Sequence, residues 1–171
     1  MERGKSVVFD IGPDDETDPT QPVIPRRPEI VHGLRNLIQN AVDFAETTVQ
    51  IDIHWNKSDI AVRISDDGPG FPPSVIGRIG DPYVRRRRAN EEKAQRPGYQ
   101  GMGLGLFIAK TLLERSGAKL SFGNSRRHGH ARWTGHATGG AMVTLTWSRN
   151  LMPKLDEIRA KGVGENVPHQ P

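Results

Sequence analysis

The stretch VQIDIHWNKSDIAVRISDDGPG, residues 49–70, decides the fold. Val49, Ile51, Ile53 and Trp55 alternate with other residues, Asn56-Lys57-Ser58-Asp59 supplies a polar turn, and Ile60, Val62 and Ile64 alternate again. A period of two on both sides of a short polar loop predicts an antiparallel hairpin with one apolar face. The second strand runs directly into Asp66-Asp67-Gly68-Pro69-Gly70, a tight loop at a strand end.

Working outward on the N-terminal side, residues 5–11 alternate with Val7, Phe9 and Ile11 on one side, which predicts a further strand. Residues 13–28 hold five prolines and most of a cluster of acids, the composition of an exposed connection. Pro28 suits a first helical turn, and Val31, Leu34, Ile38, Ala41 and Ala45 recur at spacings that predict a helix with one buried face. On the C-terminal side, 72–79 reads as a short helix and 80–100 as a polar, basic, irregular segment. A strong helix follows from about Leu104 to Ser116, with Leu106, Ala109, Leu112 and Leu113 apolar and Gly117 as its cap. Lys119–Gly123 and Ala141–Trp147 read as strands, 124–140 as a Gly-, His- and Arg-rich loop, and Lys154–Lys161 as a weak helix before a Pro- and Gly-containing tail. Helices segregated from a mostly antiparallel sheet predict an α+β two-layer sandwich.

Composition narrows the chemistry. The 171 residues suit one domain with a short appendage. The chain has no cysteine, which excludes disulfides, thiol nucleophiles and Cys-ligated metal within it. Hydrophobic residues make up 35%, with no apolar run near the roughly 20 residues of a membrane span and no signal-peptide pattern at the start. A cytoplasmic location is expected. Residues 78–96 carry seven bases against three acids, an excess equal to the net +4 of the whole chain. Such a patch attracts a polyanion of some kind. Nucleic acid is disfavoured, because aromatics are only 6% and none interleaves with Arg85–Arg88.

Three motifs carry chemistry. Gly101-Met102-Gly103-Leu104-Gly105-Leu106 opens the second strong helix, where glycines let backbone approach an anion and free N–H groups face it. Alone, it serves equally as a flexible hinge. It is neither a dinucleotide fingerprint nor a P-loop, lacking a preceding parallel βαβ unit and a Gly-Lys-Ser/Thr. Asp66, at a strand end beside Gly68 and Gly70, can accept from an exocyclic amine of a flat base. The same residues also make an ordinary Asp-Gly turn. Asn36 and Asn40 lie four apart on one helix face, and a carboxamide oxygen is a hard ligand for Mg²⁺. Amides capping neighbouring loops are the alternative.

In this order and at these distances, the motifs resemble those of sensor histidine kinases. His32-x-x-x-Asn36-Leu37-Ile38-x-Asn40-Ala41 resembles the N box, Asp66–Gly70 the first glycine box and Gly101–Leu106 the second. Gly80-Asp81-Pro82-Tyr83 looks like a degenerate F box. Within the family, NLIQNAVDFA and DDGPGFPPSVIGRIGDPYV look like the redox-responsive RegB/PrrB kinases of proteobacteria. The resemblance covers about residues 4–150. It implies a catalytic and ATP-binding domain over that range, with residues 1–3 a linker remnant and 151–171 a C-terminal tail. It also implies the Bergerat-type ATP-binding fold, a mixed sheet backed by about three helices, with a mobile lid at about 71–100. By this carry-over Asn40 ligates Mg²⁺ with Asn36 nearby, Asp66 holds adenine, and Gly68 and Gly70 make room for the base. Gly101, Met102, Gly103, Leu104, Gly105 and Leu106 wrap the triphosphate. Asp43 and Phe44 border the nucleotide, and Tyr83 and Arg85 reach it from the lid.

The implied activity is transfer of the γ-phosphate of Mg·ATP to a histidine on a separate dimerisation hairpin, in a homodimeric parent kinase anchored in the bacterial inner membrane. A cognate response regulator acts downstream. No His-Glu or His-Asp occurs among the six histidines, so no acceptor motif is present and the chain looks like a catalytic domain alone. His32 reads as structural, and His128, His130 and His136 as part of a solvated loop rather than a metal site. Any thiol-based redox sensing would reside elsewhere in the parent. Several departures matter. Asp43 stands where many relatives have a base, Ala141 where a Thr or Ser often follows a late glycine, and Asn36 where ATPase branches place a water-activating Glu. The last makes direct hydrolysis slow. The rival readings are a stand-alone ATPase or serine kinase of the same fold, and a silent nucleotide-binding adaptor.

Overall fold

The computed structural model of the chain describes residues 4–14, 20–72, 76, 102–125 and 139–151. Five strands form one mixed sheet: β1 (Ser6–Pro13), β2 (Thr48–Trp55), β3 (Asp59–Asp66), β4 (Lys119–Asn124) and β5 (Ala141–Ser148). Two helices, α1 (Pro28–Phe44) and α2 (Met102–Arg115), pack on it, and a 3-10 turn (Arg149–Leu151) follows β5. The spatial order is β1-β2-β3-β5-β4, so the last strand in sequence lies inside the sheet. β1 pairs parallel with β2, and every other neighbouring pair is antiparallel. This is the α+β sandwich expected. The proposed third helix at 72–79 falls largely outside the described residues, although Ile76 is helical and packs against the core. The basic segment 80–100, most of the 124–140 loop and the helix at 154–161 also lie outside them.

The hairpin register pairs Val49 with Asp66, Ile51 with Ile64 and Ile53 with Val62, which puts the alternating apolar residues of both strands on one face. Val49, Ile51, Val62 and Ile64 are buried there, together with Val143, Leu145 and Trp147 of β5. Each large apolar side chain removed from water contributes about 2 kcal/mol.

On the opposite face Asp52 is buried, and Arg63 lies across from it. The Arg63 guanidinium donates to Asp52 Oδ2 through Nε at 2.8 Å and Nη2 at 2.7 Å, and Gln50 Nε2 donates to Asp52 Oδ1 at 2.8 Å. The hairpin thus carries hydrocarbon on one side and a satisfied charge network on the other.

Helix α1 begins with Pro at its first turn after an extended Arg27, as expected. Its buried positions are Ile30, Gly33, Leu37 and Ala41. Leu34 and Ile38 are only partly buried, and Val31 is 40% exposed. The face is rotated from the expected one because Gly33, invisible to an apolar count, takes the contact with Leu113 of α2. Helix α2 buries Leu106, Ala109 and Leu113 and stops as expected at Gly117. There the Ala118 N–H donates to Leu113 O and the Gly117 N–H to Glu114 O, the paired bonds of a Schellman cap. Strand β1 forms where alternation placed it, but Val7, Phe9 and Ile11 are 42%, 59% and 55% exposed on this outermost strand. No helix among the described residues is long and apolar enough to cross a membrane.

Candidate functional site

A cleft opens between α1, the start of α2 and the end of the sheet where β3 and β5 lie side by side. Leu37, Ala41, Ile64, Phe71, Leu106 and Val143 supply its apolar walls, and Asn40 and Asp66 are the polar groups that reach it. Mostly apolar walls with few directed polar groups suit a flat, partly polar ligand.

Asp66 ends β3 with its carboxylate fixed by backbone. Oδ1 accepts from the Gly68 N–H at 2.9 Å and the Ala141 N–H at 3.2 Å. Among the described residues no protein donor reaches Oδ2, which therefore keeps its capacity to accept from a ligand amine. Burial pushes the Asp66 carboxyl above the ordinary carboxylate value, against the pull of those two N–H groups. The Ala141 contact comes from the main chain, so the Ala at this position, though without a hydroxyl, still holds Asp66.

Asp67 has the reverse environment. Its oxygens accept from the N–H groups of Glu46, Thr47 and Thr48 at 2.9–3.1 Å and from the Thr47 hydroxyl. Burial raises this carboxyl, but the Thr47, Thr48 and Glu46 donors outweigh it and hold it at about 2. It fastens the loop after β3 to the connection between α1 and β2.

Asn40 lines the cleft from α1. Its Nδ2 donates to Asn36 O at 2.8 Å, leaving Oδ1 as a hard oxygen ligand. That donor set fits Mg²⁺, which takes one or two protein oxygens and completes its shell with water and phosphate. Gly105 of α2 faces this amide, and a Cβ there would sit 3.2 Å from Nδ2. Phe44 and Gly70 line the cleft, as does Leu106.

Other expected site residues stand apart. Asn36 lies outside the cleft lining and accepts from Asn40 through its carbonyl. Asp43 is exposed and accepts from Gln39 Nε2 at 2.8 Å, outside the cleft lining. Leu104 is 47% exposed. Gly68 makes room for protein: a Cβ would collide with the Phe44 carbonyl. Gly70 lines the cleft with φ +75°, a conformation that suits glycine. Residues Gly101, Tyr83 and Arg85 lie outside the described structure, as do the side chain of Met102 and the surroundings of Gly103. His32 is exposed.

Residues that motif reading did not single out complete the arrangement. Gly140 packs onto Asp66 so closely that a Cβ would collide with its carbonyl and carboxylate; the Gly139-Gly140 pair before a strand was its signal. Phe71 buries its ring edge-on to Phe122, with centroids 6.3 Å apart. Asn124 bonds to the Phe71 backbone across 53 residues of sequence, a contact with no local signature.

The family model for histidine kinase-, DNA gyrase B- and HSP90-like ATPases matches residues 26–150. The sensor histidine kinase RegB of Cereibacter sphaeroides is 57% identical over 168 residues, covering 96% of this chain and 35% of that protein. The signal transduction histidine-protein kinase AfsQ2 of Streptomyces coelicolor is 29% identical over 133 residues, covering 78% of this chain and 21% of its own length. The chain thus spans about a third or less of these relatives. Among solved structures, the catalytic domain of the histidine kinase ThkA gives a TM-score of 0.55 at 20% identity, over 84% of this chain and 80% of that one. Full-length ShkA in complex with AMPPNP gives 0.53 at 21% identity, over 82% of this chain and 25% of that one. These structures share its fold. With the family model spanning four of the five strands (β2 to β5), both helices and the cleft, the chain belongs to the histidine kinase-, DNA gyrase B- and HSP90-like ATPases.

Proposed function

We propose that this chain is the catalytic domain, over residues 4–150, of a two-component sensor kinase. It binds Mg·ATP in the cleft and delivers the γ-phosphate to a histidine on a dimerisation hairpin outside this sequence. The observation that carries the reading is the pairing, across one apolar cleft, of an acceptor at Asp66 with a free amide oxygen at Asn40. Asp66 accepts from the adenine amine while Phe44, Ala41, Gly70 and Phe71 enclose the ring. Asn40 holds Mg²⁺, which neutralises charge on the phosphates. The Gly101–Leu106 stretch at the start of α2 takes the phosphates at a helix N-terminus, with Tyr83 and Arg85 as further binding residues. Transfer then rests on positioning and charge neutralisation, as is general for phosphoryl transfer.

An amide at Asn36, where an ATPase would need a carboxylate base, supports transfer over hydrolysis. The 57% identity to a RegB sensor kinase supports the same reading. It extends to a homodimeric, membrane-anchored parent, a cytoplasmic catalytic domain and a response regulator as the next acceptor.

The test is transfer from γ-labelled ATP to a separately supplied acceptor hairpin. Label on its histidine, lost with Asn40→Ala and without Mg²⁺, is the expected result. Phosphate released to water instead would place the chain among the ATPases, and failure to bind Mg·ATP would sink the reading.

A further inference from the structure

We infer that Asn124 is a positioning residue for the nucleotide cleft, acting through Phe71. Asn124 ends β4, on the outer edge of the sheet. Its Oδ1 accepts from the Phe71 N–H at 2.6 Å and its Nδ2 donates to the Phe71 carbonyl at 2.7 Å. One side chain thereby satisfies both main-chain groups of one residue, as a neighbouring strand would.

Phe122, two residues earlier on the same face of β4, takes the Phe71 ring edge-on. Strand β4 therefore grips Phe71 by backbone and side chain at once. Gly70, whose φ is +75°, is pressed against the same amide, and a Cβ there would stand 2.8 Å from Asn124 Oδ1. Both Gly70 and Phe71 line the cleft.

The register closes the circuit. Asn124 pairs with Ala141, whose N–H holds Asp66 Oδ1. The loop from Asp66 to Phe71 is fixed at its first residue by β5 and at its last by the adjoining end of β4. Neither end can shift without moving a wall of the cleft. Asparagine is suited to this task because its carboxamide sets a donor NH₂ beside an acceptor oxygen in one plane. An aspartate of the same shape would set a carboxylate oxygen against the Phe71 carbonyl.

The inference rests on the nucleotide-binding reading, and the experiment separates the two. Equilibrium affinity for ADP and for a non-hydrolysable ATP analogue would be measured well below the melting temperature for wild type, Asn124→Ala and Asn124→Asp. Leu120→Ala serves as a control that loosens β4 away from the cleft. Exchange of the Phe71 amide proton would be followed in nucleotide-free protein.

Both Asn124 variants are expected to weaken nucleotide binding about tenfold: Asn124→Ala removes both hydrogen bonds that hold the loop, and Asn124→Asp replaces the one to the Phe71 carbonyl with a repulsion between oxygens. The Phe71 amide should lose its protection in Asn124→Ala, while Leu120→Ala lowers the melting temperature and leaves affinity within twofold. Should Asn124→Ala fail to fold, the isosteric Asn124→Asp decides. Unchanged affinity in a folded Asn124 variant would overturn the inference, as would an equal loss in Leu120→Ala. No nucleotide binding by wild type would overturn the functional reading itself, with Phe71 exchange still reporting whether the clamp exists.

Discussion

Asp66 and Asp67 are adjacent and carry identical side chains, yet one carboxylate faces the cleft and the other binds the loop between α1 and β2. The alternation of a strand end sends consecutive side chains to opposite sides. One finds the apolar cleft, where burial raises its pKa, and the other finds three backbone donors and a hydroxyl that lower it. In the proposed reading Asp66 serves binding and Asp67 fastening, and acid removes the two contributions in different pH ranges.

Asp67→Ala removes a charge-assisted cluster of bonds to Glu46, Thr47 and Thr48 and is expected to destabilise the domain by about 2 kcal/mol. The folded pKa of about 2 lies below the ordinary carboxylate value of 3.8, so the contribution is complete above the unfolded pKa. It is lost as pH falls through the folded value. Urea unfolding of wild type and Asp67→Ala across acidic pH should show the gap between them closing only toward the acid end. A gap independent of pH would contradict this account.

Asp66 bears on affinity rather than on stability. Accepting from an amine favours its ionised form, so affinity for ATP is present above its pKa and declines as pH falls through it. Because burial raises that pKa, the decline begins at higher pH than for an ordinary carboxylate. Asp66→Asn, with an amide oxygen in place of the carboxylate, should bind more weakly at neutral pH and lose the acid limb. Fluorescent-nucleotide titration between about pH 4 and 8 reads both effects.

Gly140→Ala places a methyl group against the carbonyl and carboxylate of Asp66. The neighbour is main chain and a fixed side chain, so the strain has no flexible outlet, and a cost of about 2 kcal/mol is expected. Displacement of Asp66 should weaken ATP at least about tenfold. Calorimetric titration beside thermal unfolding separates the two, and unaltered affinity would mean that Gly140 does not hold the carboxylate in place.

Arg63→Met tests the opposite face. It leaves Asp52, 1% exposed, with Gln50 as its remaining side-chain donor among the described residues, and should cost about 3 kcal/mol. Asp52→Leu combined with Arg63→Met should recover much of that loss. Nucleotide affinity is expected to stay unchanged in both, since neither residue lines the cleft.

The hairpin, both helices and the motif residues Asn40, Asp66 and Gly70 were legible because each is encoded locally, by period or by spacing. What escaped was encoded across the fold. Gly33 has no side chain for a periodicity to register, yet it sets which face of α1 meets Leu113. Val7, Phe9 and Ile11 alternate like a buried strand, but position at the sheet edge leaves them exposed. Motif spacing put Asp43 in the site, whereas its bond to Gln39 holds it on the outer surface of α1. Asn124 and Gly140 matter through residues 53 or more positions away, and Asp67 differs from Asp66 only in what the fold brings beside it.

The position of β5 has a consequence for biosynthesis. This strand is last in sequence but separates β3 from β4 in space, and it brings the Ala141 N–H to Asp66. A nascent chain that has emerged only as far as β4 has a gap at the centre of its sheet and a carboxylate with one of its two anchors missing. Contacts of such long sequence separation form late and slowly. Vectorial synthesis thus delays the finished cleft until β5 has left the ribosome.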